Sequence, residues 1–328
     1  MKIVRMLMAA VAVILLAGSL VLTYAHISTP ESKLWVLATS FSPYALVGFV
    51  VALLLLLVAR LGAGVAIRRL ALYGGVVALV GAVAHAVWLA PLYAGKHPTG
   101  KPDLTVMTLN LRFGLGDADK TVELATARKV DVLVLEEVTP EELVKLDADG
   151  LNVLLPNRYG TADPGVAGTV ISSAYPLEQG KQLAVHNGGY QVRVLAPKPF
   201  WLVAVHTGQP LTSLSVWRSD HAAIHQAVAA LKGPKIVAGD FNATLNHAPM
   251  KALLDLGLHD AAEQANSGWQ ATWPGDTKAR SGFPIPFGLI AIDHVLSSSP
   301  FGAISTQVVK IDGTDHKALI AELADQVS

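Results

Sequence analysis

The segment Gly239-Asp240-Phe241-Asn242 closes an apolar strand, Ile236-Val237-Ala238, with a carboxylate and a carboxamide two residues apart. At a strand's period of two, both side chains point to one face of the strand end. Asp and Asn are disfavoured in strands, and buried there they need partners, so stability alone explains the pair poorly. A carboxylate so placed can orient and deprotonate a water, and an amide beside it can hydrogen-bond an anionic oxygen. Other apolar runs carry groups of the same kind. Leu104 to Leu111 holds Asn110, Val130 to Val138 ends in Glu136 and Glu137, and Phe200 to His206 ends in His206. Leu289 to Leu296 encloses Asp293 and His294, and Gly313-Thr314-Asp315-His316 immediately precedes Ala318 to Ile320. Taken singly, each of these residues reads as a turn, a cap or a satisfied core residue; recurring in series at strand ends, they point to one shared site.

The elements that must position these groups alternate in type. Apolar strands are interleaved with helical stretches at Lys120 to Lys129, Leu214 to Leu231 and Ala248 to Leu256, which is the pattern of an α/β domain. Along the strand that carries Asp293, alternation turns His294 to the opposite face, outside the site. His221 and His225 stand four apart on a predicted helix, a chelating spacing, but no Glu accompanies them in a His-Glu-x-x-His pattern and a helix-surface role is the better reading. The chain has no cysteine, which excludes thiolate catalysis, Cys-ligated zinc and iron–sulfur clusters together.

The order of the motifs resembles the endonuclease/exonuclease/phosphatase superfamily, the DNase I-like metal-dependent phosphoesterases. The resemblance rests on Asn110, Leu135-Glu136-Glu137-Val138, Val205-His206-Thr207, Gly239-Asp240-Phe241-Asn242, Ile292-Asp293-His294 and Thr314-Asp315-His316, in the family's order from about Asp103 to the C-terminus. It implies a four-layer α/β sandwich, with two packed mixed β-sheets flanked by helices. It also implies Asn110, Glu137 and Asp315 as ligands of Mg²⁺, with Mn²⁺ or Ca²⁺ as alternatives suited to the same oxygen donors. Asp240 is then the group that activates water, Asn242 and His206 contact the phosphate, and His316 stabilises its charge with Asp293 holding the ring. These groups are expected to face a solvent-filled cleft. The chain departs from the family's usual Leu-Gln-Glu at Leu135-Glu136-Glu137, adding a carboxylate at Glu136, and Ser173-Ala174-Tyr175-Pro176 lacks the arginine of the family's Ser-Arg-Tyr-Pro. The implied substrate is a phosphodiester, in nucleic acid or in a phospholipid headgroup; a catalytically inactive domain that binds a phosphorylated ligand is the alternative. Arg158, Arg193, Trp217, Arg218, Trp273 and Arg280 are candidates for a binding face, and the Gly- and Pro-rich Ser281 to Pro286 reads as a rigid loop over the site.

Overall neutrality hides a division. Residues 1–94 carry six Lys/Arg and one acid, whereas residues 95–328 carry nineteen Lys/Arg and twenty-four Asp/Glu. An acidic domain without a basic cluster gains little from the phosphate backbone of nucleic acid. The first 94 residues hold three apolar runs, Ile3 to Tyr24, Leu34 to Ala59 (interrupted at Pro43) and Leu70 to Tyr93, each near the length of about 20 residues that crosses a bilayer. The expected organisation is therefore a membrane domain of three transmembrane helices over 1–94, a linker over 95–102 and a catalytic domain over 103–328. Lys2 and Arg5 precede the first run, and Arg60, Arg68 and Arg69 separate the second from the third, which predicts those sides as cytoplasmic. A multi-pass protein of the cell membrane results, with the lipid bilayer as its partner and the catalytic domain outside the cytoplasm.

Overall fold

The computed structural model describes residues 2–29, 32–61, 63–95, 97–275 and 287–326. The chain divides into two compact units, Met1–Pro91 and Leu92–Ser328. In the first, α1 (Lys2–Ser28), α3 (Ala45–Ala59) and α4 (Val65–Leu89) pack together, with the short α2 (Lys33–Ser40) between α1 and α3. Three helical stretches are long and apolar enough to cross a membrane: Lys2–Ser28, Ser42–Ala59 and Val65–Leu92. The second is shorter than the run read from sequence. Pro43, lacking an amide hydrogen, opens a new 3₁₀ turn over Ser42–Tyr44 and separates α2 from α3. The third starts earlier, so that Arg68 and Arg69 lie inside its first turns rather than in a loop. Small residues line the helix contacts, Ala12, Ala45, Ala52, Ala59 and Ala78 being fully buried. The large apolar side chains Ile14, Val47, Leu54, Val80 and Val87 face outward.

The second unit begins with Leu92 already attached to it, its carbonyl accepting from Gly268 N at 2.7 Å, and Asp103 N donates to Leu323 O at 2.8 Å. The following elements are β1 (Leu104–Asn110), α5 (Ala118–Ala127), β2 (Val132–Glu136), α6 (Pro140–Ala148), α7 (Leu151–Leu154), β3 (Asn157–Thr161) and β4 (Thr169–Ser173). Then come β5 (Leu177–Gln182), β6 (Gly189–Val194), β7 (Phe200–His206), α8 (Leu214–Ala230), β8 (Lys235–Asp240), α9 (Ala248–Leu254), β9 (Leu258–Asp260) and α10 (Ala261–Gln264). The chain ends with β10 (Asp293–Ser298), β11 (Phe301–Lys310) and β12 (Lys317–Asp325). Two six-stranded mixed sheets result, ordered β11-β12-β1-β2-β4-β3 and β5-β6-β7-β8-β10-β9. Each has one parallel pair at its centre, β1 with β2 and β7 with β8.

Alternation sets the layers. Val106, Val132, Val134, Leu202, Ala204, Ile236, Ala238 and Val295 meet in one core between the sheets. Their neighbours Met107, Leu109, Leu133 and Leu135 turn outward onto Val122, Ala125 and Leu146 of the α5–α6 layer. Following the same parity to the strand ends, Thr108, Asn110, Glu136, His206, Asp240 and Asp293 all point into the seam between the sheets. The apolar core therefore gives way to polar groups at one end of the sandwich.

Candidate active site

Hydrogen-bond register brings the second sheet's groups side by side, with His206 opposite Asp240 and Asp240 opposite Asp293. In the first sheet Asn110 is opposite Glu136. Two backbone devices finish the placement. Gly239 sits at φ 142°, and a Cβ there would stand 2.0 Å from Val205 O, so the strand can approach β7 only without a side chain. Glu137, past the end of β2, takes a left-handed conformation with φ 54°, which swings it out of strand alternation. Glu136 and Glu137 thereby have different fates. Glu136 remains in the seam, fully buried, accepting from Thr108 Oγ1 at 2.8 Å on one oxygen, with its other oxygen left without a partner. Burial, reinforced by the charge of Asp293, pushes its carboxyl well above the usual range, and the side chain does not line the cavity that Glu137 reaches.

Glu137 instead accepts from Asn110 Nδ2 at 3.1 Å and from Phe113 N at 3.0 Å. Asn110 Nδ2 also donates to Asp240 Oδ2 at 3.1 Å, while Asn110 Oδ1 accepts from Arg112 N at 2.8 Å. Asn110 thus ties the two sheets together. Asp240 Oδ1 accepts from Asn242 N at 2.8 Å, and the Asn242 amide donates to Thr207 O at 2.9 Å and to Asp240 Oδ2 at 3.3 Å. The amide expected to contact a phosphate is therefore spent on holding Asp240. Burial, with the charge of Asp293, raises the Asp240 carboxyl to about 7 against the opposing pull of His316.

His316 Nδ1 stands 3.1 and 3.0 Å from the two oxygens of Asp293, and its Nε2 stands 3.7 Å from Asp240 Oδ2. Burial disfavours the charged ring, but Asp293 and Asp240 outweigh it and push the imidazole up to about 10. The three ligand-type atoms of Asp240, Asp293 and His316 lie within 4.8 Å of one another. The cluster is an Asp293–His316–Asp240 relay in which Nδ1 is hydrogen-bonded to Asp293 and Nε2 faces Asp240 beyond hydrogen-bond distance. His206 behaves oppositely. It is held by Val166 O at 3.1 Å from Nδ1, with Nε2 3.7 Å from both Glu137 Oε1 and Asp240 Oδ2. Burial, followed by the charge of His316, lowers it to about 3, so it is a neutral ring wedged behind the two acids.

The cluster is not an open cleft: Asn110, His206, Asp240 and Asp293 are each 1% exposed. Only its front opens, onto a cavity of about 370 Å³ lined on this side by Arg112, Phe113, Glu137, Asp315 and His316. Arg112 Nε lies 3.7 Å from Asp315 Oδ1, and nothing in Asn110-Leu111-Arg112-Phe113 marks it in the sequence as a residue of the cavity. Asn187, which reaches His206 Nε2 at 3.4 Å, was missed for the same reason. The other candidates lie elsewhere. Arg158 pairs with Asp147, Arg193 stacks on Trp201 at 5.6 Å, and Trp217 is buried with its indole donating to Asn242 O. His221 is buried too and donates from Nε2 to Phe241 O at 3.1 Å, and His294 is locked between Asp260 and Ala243 O. Arg280 and the Ser281 to Pro286 segment lie outside the described residues.

The donor set suits a hard cation. Glu137 and Asp315 offer carboxylate oxygens at the cavity, and burial and then Asp315's charge among the opposing influences raise the Glu137 carboxyl, a repulsion that a divalent cation relieves. Asn110 joins that set only if its amide turns its oxygen inward, where the nitrogen now stands.

A four-layer sandwich whose strand ends gather acids and imidazoles at the seam is the DNase I-like fold. The chain belongs to the Endonuclease/Exonuclease/phosphatase family, whose sequence profile matches residues 107–316. Among solved structures it is similar to a humanized D. rerio TDP2 carrying 14 mutations (16% identity, 67% of this chain and 98% of that one, TM-score 0.55). It is also similar to endonuclease/exonuclease/phosphatase proteins from Beutenbergia cavernae (19% identity, 69% and 72% coverage, TM-score 0.50) and Bacteroides vulgatus (16%, 68% and 98%, TM-score 0.51). No curated protein sequence matches the chain.

Proposed function

We propose that the protein is a membrane-anchored, divalent-metal-dependent phosphoesterase that hydrolyses a phosphodiester by in-line attack of water, with its catalytic domain outside the cytoplasm. The observation that supports this most directly is the meeting of Glu137, Asp315 and His316 at one cavity, with Asp240 directly behind them. When bound, the cation, Mg²⁺ in the first instance, supplies Lewis-acid polarisation of the phosphoryl oxygen. Glu137 and Asp315 would hold it, with Asn110 as a third donor once its amide turns its oxygen inward. Asp240, poised near neutrality, takes the proton of the attacking water, and Asn242 fixes its carboxylate through two hydrogen bonds. His316, kept cationic by Asp293, stabilises the charge that develops on the phosphoryl oxygens. His206 separates the Glu137 and Asp240 carboxylates without adding charge.

The substrate class follows from charge. The catalytic part carries nineteen Lys/Arg against twenty-four acids, and Arg112 is the only cationic side chain besides His316 that lines the cavity among the described residues. That inventory neutralises one phosphate and suits a small or headgroup phosphoester better than a polyanionic strand. The test is hydrolysis of a generic phosphodiester by the full-length protein in detergent, with Mg²⁺ and with excess EDTA, alongside Asp240→Asn. Activity that persists undiminished in EDTA removes the metal assignment, and activity that survives in Asp240→Asn removes the general base.

A further inference from the structure

The cavity has a second wall, and the proposed catalytic residues make no use of it. It is built by the loop between β5 and β6, the loop between β7 and α8, and the first turn of α8. We infer that this wall binds the organic group of the phosphoester and selects one bearing hydroxyls without formal charge, and that Asp220 is its positioning residue. The inference rests on the phosphodiesterase reading and specifies its substrate.

Asp220 is 2% exposed, yet among the described residues it has no cation beside it. Its two oxygens go instead to two loops: Oδ1 accepts from His186 N at 3.0 Å and Oδ2 from Gly208 N at 2.8 Å. A buried carboxylate spent wholly on backbone amides costs its desolvation, and the return is fixed loop geometry. Both loops are cavity wall at and beside the points where they are held, through His186 and Asn187 on one and Gly208 and Gln209 on the other. On the buried side of the same helix, Trp217 one turn before Asp220 and His221 next to it donate to Asn242 O and Phe241 O. One face of α8 therefore fixes the second wall and the Asp240–Asn242 segment in a single frame, so that the organic group and the reacting phosphorus are positioned relative to each other.

The wall's own chemistry names what it takes. Asn187, Gln209, Thr212 and Ser213 present amides and hydroxyls, groups that both donate and accept. A second phosphate would need cations, and among the described residues this wall has no Lys or Arg. A quaternary amine would need a cage of aromatic rings, and among the described residues it has none. A hydroxyl donates and accepts at once and matches both kinds of group.

The test compares two soluble phosphodiesters with the full-length protein in detergent: bis(p-nitrophenyl) phosphate, which has no hydroxyl, and glycerophosphoinositol, which has several. Wild type should favour the second in kcat/KM. Gln209→Ala with Thr212→Val, both at exposed positions, should lower that preference about tenfold, as the loss of one or two hydrogen bonds predicts. Asp220→Asn places a donor where an N–H already points, and should raise KM for glycerophosphoinositol more than it lowers kcat. A wild type that hydrolyses bis(p-nitrophenyl) phosphate without preferring the hydroxyl-bearing ester overturns this inference alone. Preference unchanged in the double variant also overturns it, as does a loss in Asp220→Asn confined to kcat. A wild type that hydrolyses neither ester in Mg²⁺ removes the phosphodiesterase reading and the inference with it.

Discussion

Replacing His316 and Asp293 singly and together tests the relay most sharply. His316→Ala removes the imidazolium that lies between Asp293 and Asp240, whose side chains are 0% and 2% exposed. Loss of a positioned charge stabiliser costs about a hundredfold or more in rate. Asp293→Ala leaves the ring in place but takes away both oxygens within 3.1 Å of Nδ1, so tautomer, charge and orientation are lost together, at a similar cost of about a hundredfold. If the two acted independently, the double variant would be down about ten-thousandfold; acting as one unit, it should be down only about a hundredfold, a coupling of about 2.7 kcal/mol. The assay is kcat/KM on bis(p-nitrophenyl) phosphate in Mg²⁺. Stability provides a second arm. Removing one partner of a buried charge pair costs about 3–5 kcal/mol because the survivor is stranded, so His316→Ala should melt well below wild type and the double variant should recover part of the loss. Multiplicative rate losses would show that Asp293 does not act through His316.

Other consequences follow from the same geometry. Glu137→Gln keeps shape but removes charge, and should abolish the rise in melting temperature that Mg²⁺ gives wild type; that rise is worth about 2.7 kcal/mol at a hundred times Kd if the cation binds the folded state only, and its persistence would reassign the ligand. The buried His294–Asp260 pair holds the imidazole above its ordinary value, Asp260 outweighing burial, so its stabilisation is complete below pH 6.5 and is lost as pH rises through the folded-state value. Asp260→Asn should accordingly destabilise the protein more at pH 5.5 than at pH 9 in thermal melts, and an equal effect at both would refute the charged pair. Reporter fusions at Gly100 and at the C-terminus should report the extracytoplasmic side and one at Gly64 the cytoplasm; a cytoplasmic C-terminus would overturn three crossings.

The strands and their chemical ends were legible because both sheets bury one face, so alternation survives in the sequence from Leu104 to Asn110 and from Phe200 to His206. The same alternation rightly excluded His294. What alternation cannot show is the residue that leaves it. Glu137 reaches the cavity through a left-handed backbone, and only that turn separates its role from that of Glu136 one residue earlier. Depth was misread as well. A strand end usually opens to solvent, but here Asp240 and Asp293 stop inside the seam of two sheets, and burial raises the Asp240 carboxyl. Arg112, Asn187 and Asp220 carry no local signal, since each matters only through a loop that another strand brings beside it.

The seam also explains why the polar cluster is tolerated. Six inward positions at one end of the sandwich, from Thr108 to Asp293, would be apolar in a domain built for stability alone, because each buried acid there adds desolvation and like-charge repulsion. The structure offsets part of that cost internally: Asn110 bridges Glu137 and Asp240 across the sheets, His316 supplies a cation to Asp240 and Asp293, and burial shifts the Glu136 carboxyl toward its uncharged form. The remainder concentrates at Glu137 and Asp315, the two acids that line the cavity among the described residues, with Arg112 and His316 as the cationic groups beside them there. A divalent cation held between these two carboxylates would relieve the repulsion that Asp315 exerts on Glu137, so on the proposed metal-dependent reading affinity for the cation and stability of the seam have the same physical origin.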